Sequence, residues 1–127
     1  MPEYTLNSPR NNQVCPTKAI VADRVIDSRK CISYWTIENK DKIDPSFRGK
    51  FNNWIFGCDI CQDVCPWNKK THPHSIKDFR PKPDLLAMTS NNWKEITGES
   101  YNHLFTGSAL MRTGYEGLQR NIRFAEE

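Results

Sequence analysis

Short apolar runs, broken by polar and turn-forming residues, dominate the first third of the chain. The runs 19–22 and 24–26 are rich in Ile, Val and Ala and are divided by Asp23. Such a pair predicts a small hairpin or two edge strands. Residues 1–14 are polar and show no period, so we expect a loose lead-in there.

Two helices are predicted to follow. Between residues 29 and 39 the apolar positions share one helical face, with a start signal at residue 27 or 28. Asp44 and Pro45 have the pattern of an N-cap followed by Pro at the first helical position. This pattern predicts a second helix that ends near Asn52.

Three short helices are predicted in the last third, where Leu, Trp, Phe and Ile recur at helical spacing: 85–89, 98–105 and 115–125. A basic, proline-bearing connection over 69–84 precedes them and marks the best internal boundary.

Composition limits the classes of protein that fit. The chain has 127 residues, 37% of them hydrophobic, and a net charge of +3, with a mean hydropathy of −0.74. These values predict one domain with a modest core, and they permit a polyanionic partner without requiring one. No apolar run approaches the roughly 20 residues of a membrane span, and the amino terminus lacks a signal-peptide pattern. We therefore expect a cytoplasmic protein without membrane contact, whose five cysteines are metal ligands rather than disulfides.

The cysteines form the clearest motif. Residues 58–66 read CDICQDVCP, a C-x2-C-x3-C-P pattern. This is the last part of the bacterial ferredoxin run C-x2-C-x2-C-x3-C-P, whose final Cys binds a different cluster from the others. Ile55 stands where the leading Cys would be, so Cys31 is expected to replace it. Cys15 precedes a Pro and is the fourth candidate ligand.

The predicted cofactor is therefore one [4Fe–4S] cluster on Cys15, Cys31, Cys58 and Cys61, with Cys65 left over for a second site. Counting back from Cys15 with ferredoxin spacing, the other ligands of that second site should occupy positions 11, 8 and 5. The residues there are Asn11, Ser8 and Thr5, so only one cluster is predicted.

Other interpretations of the cysteines remain. A four-cysteine zinc site is the main alternative, although zinc ribbons normally offer two C-x2-C pairs. A disulfide fits poorly with a cytosolic chain. Cys65 could also be a buried, inert side chain.

The sequence around the cysteines closely resembles the epoxyqueuosine reductase family. The resemblance covers residues 15–125 and is carried by five blocks: CPTKAI at 15–20, DSRKCISYWTIE at 27–38, GCDICQDVCPWN at 57–68, GSAL at 107–110 and LQRNI at 118–122. The blocks around Cys31 and Cys58 are specific to this family rather than general to ferredoxins.

The resemblance implies reduction of epoxyqueuosine to queuosine at the wobble position of tRNA. In the family, an amino-terminal domain holds cobalamin, a ferredoxin-like domain holds two [4Fe–4S] clusters, and a helical-repeat domain helps to grip the tRNA. Cys15, Cys31, Cys58 and Cys61 match the ligands of one cluster, and Cys65 matches the single ligand given to the other. The implied partners are tRNA, an electron donor such as a flavodoxin or ferredoxin, and a separate cobalamin-binding chain.

The departures from the family pattern limit the predicted function. The cobalamin and catalytic domain has no counterpart here, which suggests a truncated frame or half of a split gene without turnover of its own. We find no catalytic Ser/His/Asp set or paired carboxylates. The alternatives are a free-standing single-cluster ferredoxin-like electron carrier and a zinc-stapled interaction module.

The predicted fold class is mainly α with a small β-hairpin. It comprises the lead-in 1–14, a ferredoxin-like [4Fe–4S] segment over 15–68, the connection 69–84, and a helical region over 85–127 that begins a helical repeat.

Residues outside the cysteine motif have weaker signals. His72 and His74 lie in the basic connection and are expected to be solvated rather than ligating. Five cations in the same connection are candidate tRNA backbone contacts: Lys69, Lys70, Lys77, Arg80 and Lys82. Three tryptophans beside the cysteine segments are predicted to pack in the core: Trp35, Trp54 and Trp67.

Overall fold

The predicted hairpin is present in the structure, a computed structural model that describes residues 13–22 and 24–127. Strand β1 (Ile20–Ala22) pairs antiparallel with strand β2 (Val25–Ile26). Most of the expected lead-in 1–14 lies outside the described residues, as do positions 5, 8 and 11. The backbone N–H of Asp27 donates to the carbonyl of Ala19 at 2.8 Å, so the hairpin is tied to the segment that follows it.

The helix predicted over 29–39 is wrong as a continuous element. A 3-10 turn covers Ser28–Lys30, Cys31 is extended at φ −79° and ψ 126°, and a π-helix covers Tyr34–Glu38. The Asp27 carboxylate caps the first turn by accepting the N–H of Arg29 at 3.1 Å. The extended backbone at Cys31 separates the two turns.

The helix predicted from Asp44 to Asn52 is also wrong beyond its first turn. The Asp44 carboxylate does cap it, accepting the N–H of Ser46 at 2.8 Å, but the 3-10 turn covers only Pro45–Phe47. Gly49 then adopts a φ of +71°, and Asn52 and Asn53 are left-handed too. Phe51, which lies between these left-handed positions, is buried.

The carboxy-terminal prediction holds best for the two longest helices. Five α-helices have both ends within the described residues: α1 (Ile60–Asp63), α2 (Pro83–Leu86), α3 (Ser90–Lys94), α4 (Gly98–Phe105) and α5 (Tyr115–Glu126). The helix expected over 85–89 starts earlier, because Pro83 sits favourably in the first turn. Helix α3 was missed, although Thr89 and Asn92 form a capping box at its start. Further 3-10 turns cover Asn68–Lys70, Lys77–Phe79 and Ala109–Arg112.

Helix α5 joins two apolar clusters. Its Leu118 and Ile122 pack with the first cluster, which includes Tyr101 and Phe105 of α4. Its Phe124 packs with the second, which contains three residues from the cysteine-bearing half: Ile32, Ile43 and Phe51. The helical region therefore packs directly against the part of the chain that carries the cysteines.

The connection 69–84 is exposed throughout. Trp35 and Trp54 pack against the second cluster as predicted. The prediction for Trp67 is wrong, because its side chain is 67% exposed. No helix of the described residues has the length and apolar character to cross a membrane.

Candidate metal centre

Four of the five cysteines line one pocket. Cys15, Cys31, Cys58 and Cys61 come from three separate segments and share it with apolar side chains: Pro16, Ala19, Ile20, Ile26, Ile32 and Ile60. Thr17 completes the lining. The structure thus brings together the four residues singled out from the sequence, inside a mostly hydrocarbon wall.

The first segment places Cys15 at the start of a tight turn. The N–H of Lys18 donates to the Cys15 carbonyl at 3.1 Å, and Lys18 has a left-handed φ of +54°. This turn points the N–H of Ala19 at the Cys15 sulfur, at 3.3 Å. The Thr17 hydroxyl lies 3.7 Å from the same sulfur. A thiolate in this position can therefore accept hydrogen bonds from the Ala19 N–H and the Thr17 hydroxyl.

The second segment holds Cys31 between two helical turns. Its N–H donates to the Ser28 carbonyl at 3.0 Å, and its own carbonyl accepts the N–H of Trp35 at 3.1 Å. The indole of Trp35 donates to the carbonyl of Arg29 at 2.8 Å. Both neighbouring turns therefore fix the backbone of Cys31.

The third segment carries Cys58 and Cys61 on either side of the start of α1. Gly57, directly before Cys58, has a φ of +71°, a region that glycine enters without steric cost. The N–H groups of Gln62 and Asp63 both donate to the carbonyl of Asp59 at 2.8 Å. The resulting single turn places Cys58 and Cys61 on the same side, as the C-x2-C spacing predicts.

The thiols influence one another electrostatically. Burial raises the pKa of the Cys58 thiol, and the nearby thiols of Cys61, Cys31 and Cys15 raise it further. Burial also raises the pKa of the Cys61 thiol, and the thiols of Cys31 and Cys15 raise it further. Burial also tends to raise the pKa of the Cys15 thiol. The hydrogen bonds from Ala19 and Thr17 lower this pKa by more, so it lies below its ordinary value.

This arrangement fits an iron–sulfur cluster. Such clusters are held by four Cys thiolates, and the burial and hydrogen bonding of the sulfurs tune their potential. The pocket supplies four thiols, an apolar wall and an N–H aimed at one sulfur. Among the described residues, no group of three or more Cys, His, Asp or Glu is arranged to hold a single metal ion. Two larger hollows, of about 410 and 480 Å³, are lined mainly by residues of the helical region and by no cysteine.

Cys65 lies apart from this pocket. It follows α1, its N–H donating to the Gln62 carbonyl and its carbonyl accepting the N–H of Asn68, both at 3.1 Å. Its side chain is partly buried. His72 and His74 are exposed as expected, and the His74 ring contacts Phe79.

Sequence reasoning missed two polar residues that link the cysteine segments. Thr36 lies within the range 29–39 whose apolar face predicted a helix, and Asn121 lies within the LQRNI block; neither was a candidate site residue. Both side chains are fully buried. A polar residue inside an apolar stripe was the available signal, since buried polar groups are normally hydrogen-bonded.

A family model described as a 4Fe-4S double cluster binding domain matches residues 12–68. This range contains all five cysteines.

Curated relatives match most of the chain. The epoxyqueuosine reductase of Cellulophaga algicola is 56% identical over 110 residues, which cover 87% of this chain and 36% of the relative. That of Cyclobacterium marinum is 50% identical over 124 residues, covering 98% of this chain and 39% of the relative. The chain therefore spans little more than a third of the length of these relatives.

Solved structures show the same fold. An epoxyqueuosine reductase crystallised with an epoxyqueuosine-modified tRNA-Tyr stem loop superposes with a TM-score of 0.82 at 28% identity, covering 94% of this chain and 32% of the other. The epoxyqueuosine reductase of Streptococcus thermophilus gives a TM-score of 0.75 at 33% identity, covering 94% and 31%.

Proposed function

The chain belongs by sequence and fold to the epoxyqueuosine reductase family and matches part of its members, and we propose that it is the electron-transfer part of such an enzyme. Cys15, Cys31, Cys58 and Cys61 hold one [4Fe–4S] cluster. The observation that carries this proposal is the convergence of these four thiols, from three segments, on one apolar pocket. When bound, the cluster passes single electrons from a donor of the flavodoxin or ferredoxin class.

The chain holds one cluster rather than two. The matched family model is described as binding a double cluster, but five cysteines supply only one ligand beyond the first four. Asn11, Ser8 and Thr5 occupy the positions where the further thiolates are expected. Cys65 is the remaining ligand, available to a second cluster whose other thiolates come from elsewhere.

The substrate side of the reaction depends on a further polypeptide region. The resemblance assigns cobalamin to a domain that these 127 residues do not match, so the cobalamin-binding unit is a separate region or chain. In this proposal the reduction of epoxyqueuosine to queuosine requires that unit, and the present chain works in the cytosol, where its thiols stay reduced.

The tRNA is bound in part by the exposed basic connection. A structural relative was solved with a tRNA stem loop, and residues 69–84 are exposed and carry five cations. Backbone phosphates are the natural partners of such a surface. The helical region 85–127 is the start of a helical repeat and continues this surface. In this proposal, the segment 15–68 holds the cluster, and the segments 69–84 and 85–127 contact the tRNA.

The test of the cofactor is anaerobic reconstitution with iron and sulfide. We expect brown protein with about four Fe per chain, and loss of most of this iron in Cys31→Ser or Cys58→Ser. Cys65→Ser is the matched control, because it lies in the same motif but outside the pocket, and it should retain the full iron content.

Two results would contradict the proposal. Colourless protein that binds one Zn²⁺ with these four thiols would support the zinc-stapled module instead. Equal iron loss in Cys65→Ser and Cys58→Ser would show that the ligand set is wrong. Independently, purified chain with added cobalamin should not turn over epoxyqueuosine, and robust turnover would refute the need for a second unit.

A further inference from the structure

A buried polar network connects helix α5, which carries no cysteine, to two of the three cysteine segments. Asn121 of α5 is 0% exposed. Its side-chain amide donates to the carbonyl of Thr36 at 2.7 Å and to the carbonyl of Ile55 at 2.9 Å. A buried amide is costly unless it is hydrogen-bonded, so its two donors hold two backbone segments in one relative position.

Thr36 lies at the centre of this network. Its hydroxyl donates to the carbonyl of Ile32 at 2.8 Å and accepts the N–H of Gly57 at 2.9 Å. Ile32 directly follows Cys31, and Gly57 directly precedes Cys58. One hydroxyl thus links the backbones next to two of the four thiols.

Two more residues of the carboxy-terminal part, Thr113 and Arg120, donate to backbone carbonyls in and just after the π-helix Tyr34–Glu38. The Thr113 hydroxyl donates to the Thr36 carbonyl at 2.9 Å. The Arg120 guanidinium donates to the carbonyls of Trp35, Asn39 and Asp41 at 2.8–3.0 Å. The π-helix Tyr34–Glu38 is therefore held on its carbonyl side by side chains from α5 and the residues just before it.

We propose that Thr36 and Asn121 are positioning residues of the metal centre: they hold the Cys31 and Cys58 segments at the separation that one cluster requires. The inference deepens the proposed function and rests on the cluster being the ligand of this pocket. Neither side chain lines the pocket, so both act through the backbone beside a ligand. Groups of this kind commonly change metal affinity by about 10–100-fold when removed.

The network has a directional character that apolar packing lacks. Hydrophobic contact between α5 and the second cluster, through Phe124, could keep the helix docked without fixing how the two cysteine segments are spaced. Hydrogen bonds impose distance and angle. The polar residues therefore define the spacing of the thiols, while the apolar ones supply most of the docking energy.

The principal test compares Thr36→Val with Thr36→Ser. Valine keeps the shape and removes the hydroxyl, whereas serine keeps the hydroxyl. After reconstitution, we expect Thr36→Val to lose its cluster to an iron chelator about tenfold faster than the wild type, with Thr36→Ser restoring the wild-type rate. The electron paramagnetic resonance signal of the reduced cluster should also change in Thr36→Val and not in Thr36→Ser.

Asn121→Asp and Leu118→Ala complete the design. Asn121→Asp keeps the shape of the side chain but replaces its donor with an acceptor facing two carbonyls, and should behave like Thr36→Val. Leu118 is buried on the same helix but belongs to the other apolar cluster, so Leu118→Ala reports general loss of stability. An unchanged chelation rate in Thr36→Val, or an equal acceleration in Leu118→Ala, would overturn the inference.

Hydrogen exchange of the metal-free 127-residue chain separates this inference from the proposed function. Thr36→Val should accelerate amide exchange over residues 31–37 and 57–61 more than Leu118→Ala does. If the wild type takes up no iron, the proposed function fails while this comparison still decides the positioning role. Unchanged exchange in both segments would refute the positioning role whether or not a cluster assembles.

Discussion

At the scale of single residues, the site depends on backbone conformations as much as on thiols. Gly57 combines a positive φ with an N–H that donates to Thr36, and its neighbour is a candidate ligand. An added Cβ would have room, the nearest atom being Cδ1 of Ile37 at 3.9 Å. The cost of a side chain at this position therefore comes from the backbone conformation and not from a clash.

We predict that Gly57→Ala lowers the free energy of unfolding by about 1–2 kcal/mol, the cost of a left-handed L-residue. Urea denaturation of the metal-free protein measures it. Gly49→Ala is the matched control, because Gly49 has the same φ of +71° and open space around it. Both variants should lose similar stability, but only Gly57→Ala should also lose iron faster, and equal iron loss in both would contradict the special role of Gly57.

At the scale of elements, α5 is the principal packing element of the described chain. It contributes buried residues to both apolar clusters and carries Asn121. Its start follows Gly114, whose φ of +79° turns the chain into the helix. Sequence periodicity predicted this helix well, because its apolar positions recur at helical spacing.

Leu118→Ala should lower the free energy of unfolding by about 2–5 kcal/mol, because the side chain is fully buried and its removal leaves a cavity. Leu86→Ala is the control on an exposed leucine, 72% accessible, and should change stability by no more than about 0.5 kcal/mol. Chemical denaturation of both variants checks this, and similar values would show that α5 is not packed as described.

An exposed ion pair links the π-helix to the segment before α5. Arg112 donates to the Glu38 carboxylate, with Nη2 and Oε2 2.8 Å apart. This hydrogen bond and the guanidinium charge hold the pKa of Glu38 below its ordinary value of 4.5. A carboxylate with a lowered folded-state pKa stabilises the fold above its unfolded pKa, and the effect is lost as the pH falls through the folded pKa.

Glu38→Gln should therefore lower the thermal midpoint slightly at neutral pH, and the difference from the wild type should vanish as the pH falls below the folded-state pKa. Arg112→Gln should show the same pH profile, because it removes the other partner. The effect is expected to be small, since the pair is exposed to solvent. A constant difference across the whole pH range would mean that Glu38 acts through something other than its charge.

At the scale of the whole molecule, a group of positive charges lies in a segment that is exposed to solvent along its whole length. The connection 69–84 is exposed and basic, and Phe79 within it is 69% exposed. A surface of cations with an exposed ring suits a nucleic-acid strand, since phosphates attract the former and bases stack on the latter.

We predict that a tRNA stem loop binds this chain with an affinity that falls steeply with salt. Lys70→Gln with Lys77→Gln should reduce the slope of log K against log salt by about 2, one for each lost phosphate contact. Arg24→Gln with Lys42→Gln removes the same charge elsewhere on the exposed surface and should leave the slope nearly unchanged. If both double substitutions changed the salt slope equally, binding would depend on the net charge of the chain and not on this connection.

The sequence by itself determined which cysteines are candidate ligands and which elements have local signals. The cysteine motif identified the four thiols that the structure gathers. Short apolar runs identified the hairpin, and apolar periodicity identified α4 and α5, because these patterns act between near neighbours in the chain. Tertiary structure alone decided the rest. It broke the helix at Cys31, ended the next one after Phe47, buried Phe51 and exposed Trp67. It also joined Thr36, Gly57 and Asn121, residues up to 85 positions apart, because burying polar groups and filling a core depend on partners that no local pattern reveals.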